Sequence, residues 1–247
     1  MARYDFRAPR LHVAGDLAQG VAIACAPPAH NYLRNVLRLK AGESVLVFNG
    51  REGEWRAEIA DAGKRESALH VMEQVRAQEG GPDVDYLFAP LKRARLDYIV
   101  QKATEMGAAR LRPVVTRRTT PERLNLHRLG ANIIEAAEQC GILRIPELQA
   151  PEKLERVLAG WDRARTLVFC DEGVGRDDPI ATLSRLTRGA PLAVLIGPEG
   201  GFEDAERERL ASLPFVTRIS LGPRILRADT AGVAALTLIN AVLADWR

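Results

Sequence analysis

Leu195-Ile196-Gly197-Pro198-Glu199-Gly200-Gly201-Phe202 runs a short apolar strand into a glycine-rich turn and then into a helix. Glycine lets a backbone approach a ligand closely and leaves its amides exposed as donors. In parallel α/β sheets, ligands collect outside the carboxyl ends of the strands, where such a turn sits. A turn that merely requires positive φ explains the glycines equally well. No Gly-Lys-Ser/Thr follows, and the G-x-G-x-x-G spacing is missing. Both absences argue against kinases, GTPases and dehydrogenases.

A second loop follows the next strand: Ser220-Leu221-Gly222-Pro223-Arg224-Ile225-Leu226-Arg227-Ala228-Asp229-Thr230. Two glycine-proline loops on successive strands are expected to open at one sheet edge and grip one flat ligand through backbone groups. Asp229 or Thr230 is expected to cap the last helix. Arg224 and Arg227 are harder to explain, because a cation ahead of a helix N-terminus opposes the helix dipole. Pro90-Leu91-Lys92-Arg93-Ala94-Arg95 repeats the oddity before a helix beginning near Leu96. Each such charge costs about 0.3–1 kcal/mol when exposed. An external anion such as a phosphate backbone accounts for the choice; a solvated charged loop is the plain alternative. Arg117-Arg118 and Arg123 extend the patch.

Strands and helices alternate around these loops. Apolar runs at Val84–Ala89, Leu111–Val115, Thr166–Cys170, Leu192–Ile196 and Val216–Leu221 read as strands. Leu96, Ile99, Val100, Ala103 and Met106 keep helical spacing up to Gly107, as do Leu126, Leu129, Ile133, Ala137 and Cys140 up to Gly141. Asp178-Pro179 opens a third helix, and Asp229-Thr230 a last one running to about Asp245. This alternation predicts an α/β domain with a largely parallel sheet covered on both faces. Before the linker, short strands are expected at Leu11–Val13, Val21–Ala24, Ser44–Phe48, Trp55–Ile59 and Ala68–Val75. Turn signals such as Asn49-Gly50 and Asp61-Ala62-Gly63 separate them, and one helix spans His30 to Leu39. Together they predict a small β-barrel-like domain. The expected boundaries are a barrel over 1–76, a linker over 77–83 and the α/β domain over 84–247.

Apolar residues make up 47% of the 247 and charged residues 27%, an ordinary soluble composition. A formal charge of only +3 confines any nucleic-acid site to a local patch. Cys25, Cys140 and Cys170 form no C-x-x-C pair, so neither a disulfide framework nor a metal site is expected. Cys140 reads as packing, with no adjacent base to activate it. The first ten residues carry no apolar signal run, and Ala231 to Ala244 is too short to span a bilayer, so a soluble cytoplasmic protein is expected. His30, Arg34 and Arg38 share a helix face that suits RNA, although a histidine at a helix start is often structural. Glu105, beside its helix end, needs a polar partner.

With these residues on the page, the chain resembles the ribosomal RNA small-subunit methyltransferase E (RsmE) family of the knotted SPOUT superfamily. The resemblance is carried by His30…Val36-Leu37-Arg38 and by Lys92…Gln101-Lys102-Ala103-Thr104-Glu105-Met106-Gly107. Glu135-Ala136-Ala137-Glu138-Gln139-Cys140-Gly141 and the two glycine loops complete it, over nearly the whole chain. The resemblance implies an N-terminal PUA-like barrel that helps bind RNA and a C-terminal domain with a deep trefoil knot. It also implies methylation of N3 of a uridine in the decoding region of 16S rRNA, within the assembled small ribosomal subunit. S-adenosylmethionine is the implied cofactor and a homodimer the implied assembly. At Ala228-Asp229-Thr230 the sequence departs from the family pattern. Asp229 keeps a carboxylate on a short arm and is not expected to be an essential base.

On that footing, backbone groups of Leu195, Ile196, Gly197, Pro198, Glu199, Gly200 and Gly201 are expected to hold the cofactor with Leu221, Gly222, Ile225 and Leu226. Methylating N3 requires loss of its proton. Arg227 or Arg224 is expected to stabilise the uridine anion, and Glu105 or Glu138 to position the base. His30, Arg34, Arg38, Lys92, Arg93, Arg95, Arg117 and Arg118 are expected on RNA. The final helix, with Val233, Ala234, Leu236, Leu238, Ile239, Val242 and Leu243 around most of its surface, needs cover from its own domain or a second subunit. The alternatives are a non-catalytic ribosome-assembly factor, an enzyme of another nucleotide, and a knotted relative acting on tRNA or a ribose hydroxyl.

Overall fold

The computed structural model describes residues 8–61, 66–119, 123–175 and 178–246. Most of the expected Asp61-Ala62-Gly63 turn lies outside the described residues. The chain divides into two compact units, one running up to Gly80 together with Ala137–Ile145, the other Gly81–Ala136 with the chain from Pro146 onward.

In the first unit β1 (Arg10–His12), β2 (Ala22–Ala24), β3 (Ser44–Phe48), β4 (Glu54–Asp61) and β5 (Ser67–Arg76) form one sheet ordered β1-β3-β4-β5-β2. Only β1 with β3 is parallel. Register shifts between β4 and β5 at Glu54/Trp55 and Arg56/Ala57 increase the local twist. The sheet curls around Leu33, Val47, Ile59, Leu69 and Val71. Among the described residues it is a curled sheet with β1 and β2 as its edges, rather than a barrel closed by strand pairing. The His12 ring stands edge-on to Phe48 at 5.6 Å, and its amide donates to Glu138 Oε1 at 2.8 Å. The helix expected over His30–Leu39 is split. α1 (Pro27–Asn31) begins three residues early, because Pro27 and Pro28 suit a first turn. A π-helical turn over Tyr32–Val36 follows, and Arg38, at φ 57°, ends it.

The second unit alternates β6 (Val84–Phe88), α2 (Arg93–Glu105), β7 (Arg110–Val115) and α3 (Leu126–Cys140), the last turn of α3 counting with the first unit. There follow β8 (Glu147–Leu148), β9 (Glu152–Lys153), α4 (Leu154–Ala159), β10 (Thr166–Cys170), α5 (Pro179–Leu183) and β11 (Leu192–Ile196). α6 (Asp204–Ser212), β12 (Val216–Ile219) and α7 (Ala228–Val242) complete it. The strand order is β12-β10-β11-β6-β7-β8, with β9 also on β7, and every pairing is parallel. β6 and β11 are buried along their whole length, which is why β11 reads as an unbroken apolar run and β6 as one interrupted only by Asp85. Gly107 and Gly141, at φ 77° and 63°, close α2 and α3 as expected. Asp178 caps α5, accepting from the Ile180 amide at 2.9 Å. Among the described residues no helix is long and apolar enough to cross a membrane.

Two of these expectations are corrected, and three short elements had none. The N-cap of α7 is Arg227 and makes no side-chain cap; among the described residues Asp229 accepts only from the neighbouring Thr230 amide, at 2.9 Å. β12 stops at Ile219, which leaves Leu221 in the loop. α4, β8 and β9 carry no sequence signal, because elements of six and two residues are too short for a period to show.

α7 packs on α2 and β11. The approach is close because of Gly232: an added Cβ would stand 2.3 Å from Tyr86 Oη and 2.7 Å from Ile99 Cδ1. That closeness brings the start of α7 to the carboxyl edge of the sheet. At the opposite edge, Arg110 Nε donates to Asp85 at 2.6 Å and Arg165 Nη2 to Asp83 at 2.8 Å, joining the starts of β6, β7 and β10. Burial raises the Asp83 pKa, but the hydrogen bonds and charges of Arg165 and Arg110 outweigh it and hold the carboxyl below its ordinary value.

Candidate active site

A cleft of about 410 Å³ opens at the carboxyl ends of β10, β11 and β12, within the usual range for small-molecule sites. The loop after β11 contributes Ile196, Gly197, Pro198, Glu199, Gly201 and Phe202, and the loop after β12 contributes Ser220 to Ala228. These loops are successive in sequence but not neighbours in the sheet, since β10 runs between them. A third loop, Cys170-Asp171-Glu172, therefore lines the middle of the cleft. It is absent from the sequence reading. Its signal was an acidic pair and a glycine, Asp171-Glu172-Gly173, directly after a strand.

The glycine-rich loop is shaped by its own last residue. Phe202 folds back beneath Gly197, where an added Cβ would meet Phe202 Cε2 at 2.5 Å. The ring sits edge-on to Phe169 with centroids 5.0 Å apart, inside the core that also holds Leu195. Leu195 accordingly does not line the cleft. Neither does Gly200, whose carbonyl accepts from Arg118 Nη1 at 3.0 Å. The other nine expected cofactor residues all line it: Ile196 to Glu199, Gly201, Leu221, Gly222, Ile225 and Leu226. Glu203 and Glu206 form a capping box at the start of α6. Glu206 also accepts from the Arg117 amide at 2.9 Å, anchoring the loop after β7.

Charges inside the cleft fall into two groups. Asp171 is saturated: Arg218 donates to Oδ2 through Nε at 3.0 Å and Nη2 at 2.7 Å, and Arg207 Nε stands 3.2 Å from Oδ1. Glu199 pairs with Arg95, whose Nε also lies 3.9 Å from Asp229. By contrast Arg224 and Arg227 are exposed on the cleft lining and form no ion pair among the described residues. Ile225, between them, is 89% exposed. Burial pushes the Cys170 thiol up to about 12, which favours the neutral thiol over the thiolate.

Other expected residues lie elsewhere. Glu105 pairs with Lys102 at 2.7 Å, and Glu138 accepts from the His12 amide; neither lines the cleft. The reason for Glu105 is topological: α2 starts at the carboxyl edge, so its last turn ends at the opposite edge. Arg95, expected on RNA, is held by carboxylates instead. Lys92, the N-cap of α2, and Arg93 are exposed at its start. Arg117 pairs with Glu155 at 3.3 Å and approaches Glu203 at 3.9 Å. In the first unit, His30 Nδ1 lies 2.9 Å from Ser67 Oγ, Arg34 donates to the Leu39 carbonyl at 3.0 Å, and Arg38 is exposed. Cys140 is exposed rather than packed.

Residues 79–240 match the RNA methyltransferase domain family and residues 30–71 the RNA methyltransferase PUA domain family. The class is thereby defined: an RNA methyltransferase whose parallel sheet follows a PUA-type unit. The ribosomal RNA small subunit methyltransferase E of Rickettsia conorii is 30% identical over 232 residues, 94% of each chain. That of a Synechocystis species is 32% identical over 238 residues, 95% of this chain and 78% of the relative. The chain belongs to the ribosomal RNA small subunit methyltransferase E family. A Legionella pneumophila methyltransferase solved with bound SAM superposes with a TM-score of 0.84 at 29% identity, over 97% of this chain and 99% of that one. The Neisseria gonorrhoeae ribosomal RNA small subunit methyltransferase E, at 21% identity, shares the fold with a TM-score of 0.87 over 98% and 100%.

Proposed function

We propose that this chain transfers a methyl group from S-adenosylmethionine to N3 of a uridine in the decoding region of 16S rRNA, within the assembled small subunit in the cytoplasm. One observation carries the reading. Two glycine loops converge on one cleft whose lining includes Arg224 and Arg227, both without an ion pair among the described residues. The cleft fits the donor: it is about 410 Å³, two glycine-containing loops line it, and Phe202 beneath Gly197 holds the first loop open. The donor, when bound, supplies an electrophilic methyl on a sulfonium. The chain holds it through backbone groups of Ile196 to Glu199, Gly201, Leu221, Gly222, Ile225 and Leu226. Arg227 or Arg224 stabilises the uridine anion, so that N3 gives up its proton to solvent water more readily. Glu105 and Glu138, engaged elsewhere, have no place in that step.

Lys92 and Arg93, exposed and without an ion pair among the described residues, present their charge to RNA phosphate at the start of α2. The first unit, with the barrel expected over 1–76, offers His30, Arg34 and Arg38 as a second RNA surface. Leu236, Ile239 and Val242 of α7 are buried within their own unit, while Val233, Ala234 and Leu238 remain half-covered. A second copy of the chain, in a homodimer, would cover that stripe. The trefoil knot belongs to the same proposal.

Mass spectrometry of 16S rRNA nucleosides from a strain lacking this protein tests the function. One N3-methyluridine is expected to disappear and to return with the native chain. Loss of a tRNA or ribose methylation instead would support a knotted relative of different specificity. No loss at all would support an assembly factor.

A further inference from the structure

Glu172 stands in the cleft with its recognition capacity largely unspent. The other acids there are engaged, Asp171 by Arg218 and Arg207, and Glu199 by Arg95. The Glu172 side chain is 57% exposed, and among the described residues its one hydrogen bond is a long 3.4 Å contact from Arg207 Nη2 to Oε1. Its carboxylate also lies close over the first glycine loop: a Cβ added to Gly201 would stand 3.0 Å from Glu172 Oε1. Residue 201 is a glycine at φ 69°, so this approach is open.

Sheet order fixes what Glu172 faces. β10 lies between β11 and β12, so the loop that ends β10 stands between the two loops that grip the ligand. S-adenosylmethionine is linear in its chemistry, with an adenine at one end, an amino acid at the other and a ribose between. A ligand held at both loops presents its middle to the end of β10. The vicinal hydroxyls of a ribose are two donors, and a carboxylate is an acceptor with two oxygens. We infer that Glu172 is a donor-binding residue that accepts hydrogen bonds from the ribose diol of the cofactor. The inference rests on the proposed donor site and adds a residue to it.

Calorimetry on the full chain tests this with S-adenosylhomocysteine and with 5′-methylthioadenosine, which keeps the ribose but lacks the amino acid end. Glu172→Gln is expected to weaken both ligands by the same factor, about tenfold for a lost charge-assisted bond. In the native chain, a 2′-deoxy analogue of S-adenosylhomocysteine is expected to bind more weakly, and Glu172→Gln should add little further loss. The native-chain half of this second arm does not depend on how the variant folds. Weakening of S-adenosylhomocysteine alone would place the carboxylate at the amino acid end and overturn the inference, as would no change for either ligand. Failure of the native chain to bind either ligand would instead remove the donor site itself.

Discussion

The Phe202 ring fills the space that a side chain at residue 197 would need, with Cε2 only 2.5 Å from a Cβ placed on Gly197. The glycine is thus required for packing, and the loop owes its shape to a buried ring that also meets Phe169. Gly197→Ala is expected to displace Phe202 and the cleft wall together. Overpacking of this kind costs about 1–3 kcal/mol. Urea denaturation should show that loss, and calorimetry a weakened S-adenosylhomocysteine. Unchanged stability and affinity would mean the ring has room to move.

Gly232 plays the same part between α7 and the sheet. Gly232→Ala brings its Cβ within 2.3 Å of Tyr86 Oη, so it too is expected to lower stability, by about 1–3 kcal/mol. Removing that oxygen with Tyr86→Phe should restore part of the loss. A double variant no better than Gly232→Ala would place the strain elsewhere, at Ile99.

Much of this framework was legible beforehand. β10 and β11 are unbroken apolar runs between turn signals, and α3 spans the helical pattern that Gly141 stops. The nine cleft residues were legible because glycine and proline after a strand leave few other readings. Glu172 was not, because nothing in the sequence says that β10 lies between β11 and β12. Glu105 and Glu138 misled for the same reason: the edge at which a helix ends is a property of topology. Arg95 misled because its partners are 104 and 134 positions away along the chain, as the numbers of Glu199 and Asp229 give. Local dipole arguments cannot see such partners.

The cations at the start of α2 should therefore separate experimentally. Lys92→Ala and Arg93→Ala are expected to reduce the salt dependence of RNA binding by a slope of about 0.7–0.9 per lost phosphate contact. Arg95→Ala should leave that slope unchanged and weaken donor binding instead, because Glu199 loses its partner. Equal slope changes for all three would return Arg95 to the RNA surface.

Arg227→Ala is expected to bind S-adenosylhomocysteine normally and to methylate RNA about 10²–10³-fold more slowly, the usual loss when one stabiliser of developing negative charge is removed. Single-turnover rates beside calorimetric affinities check this. Normal turnover would transfer the role to Arg224.

A pH effect belongs to the first unit. Burial, with the charge of Arg51, holds His12 below the 6.5 of an ordinary imidazole. The unfolded chain takes up a proton near 6.5 that the folded unit resists, so this contribution is complete above that value and declines as the pH falls through it. The thermal midpoint of the native chain should fall more between about pH 7 and pH 5.5 than that of His12→Gln. Parallel curves would contradict the assignment.

A crystal structure with S-adenosylhomocysteine bound is the most direct measurement of all. The ligand is expected against both turns at once, Gly197 to Gly201 on one side and Leu221 to Leu226 on the other. A ligand that touches only one of them, or that lies outside the cleft, would contradict the proposed donor site.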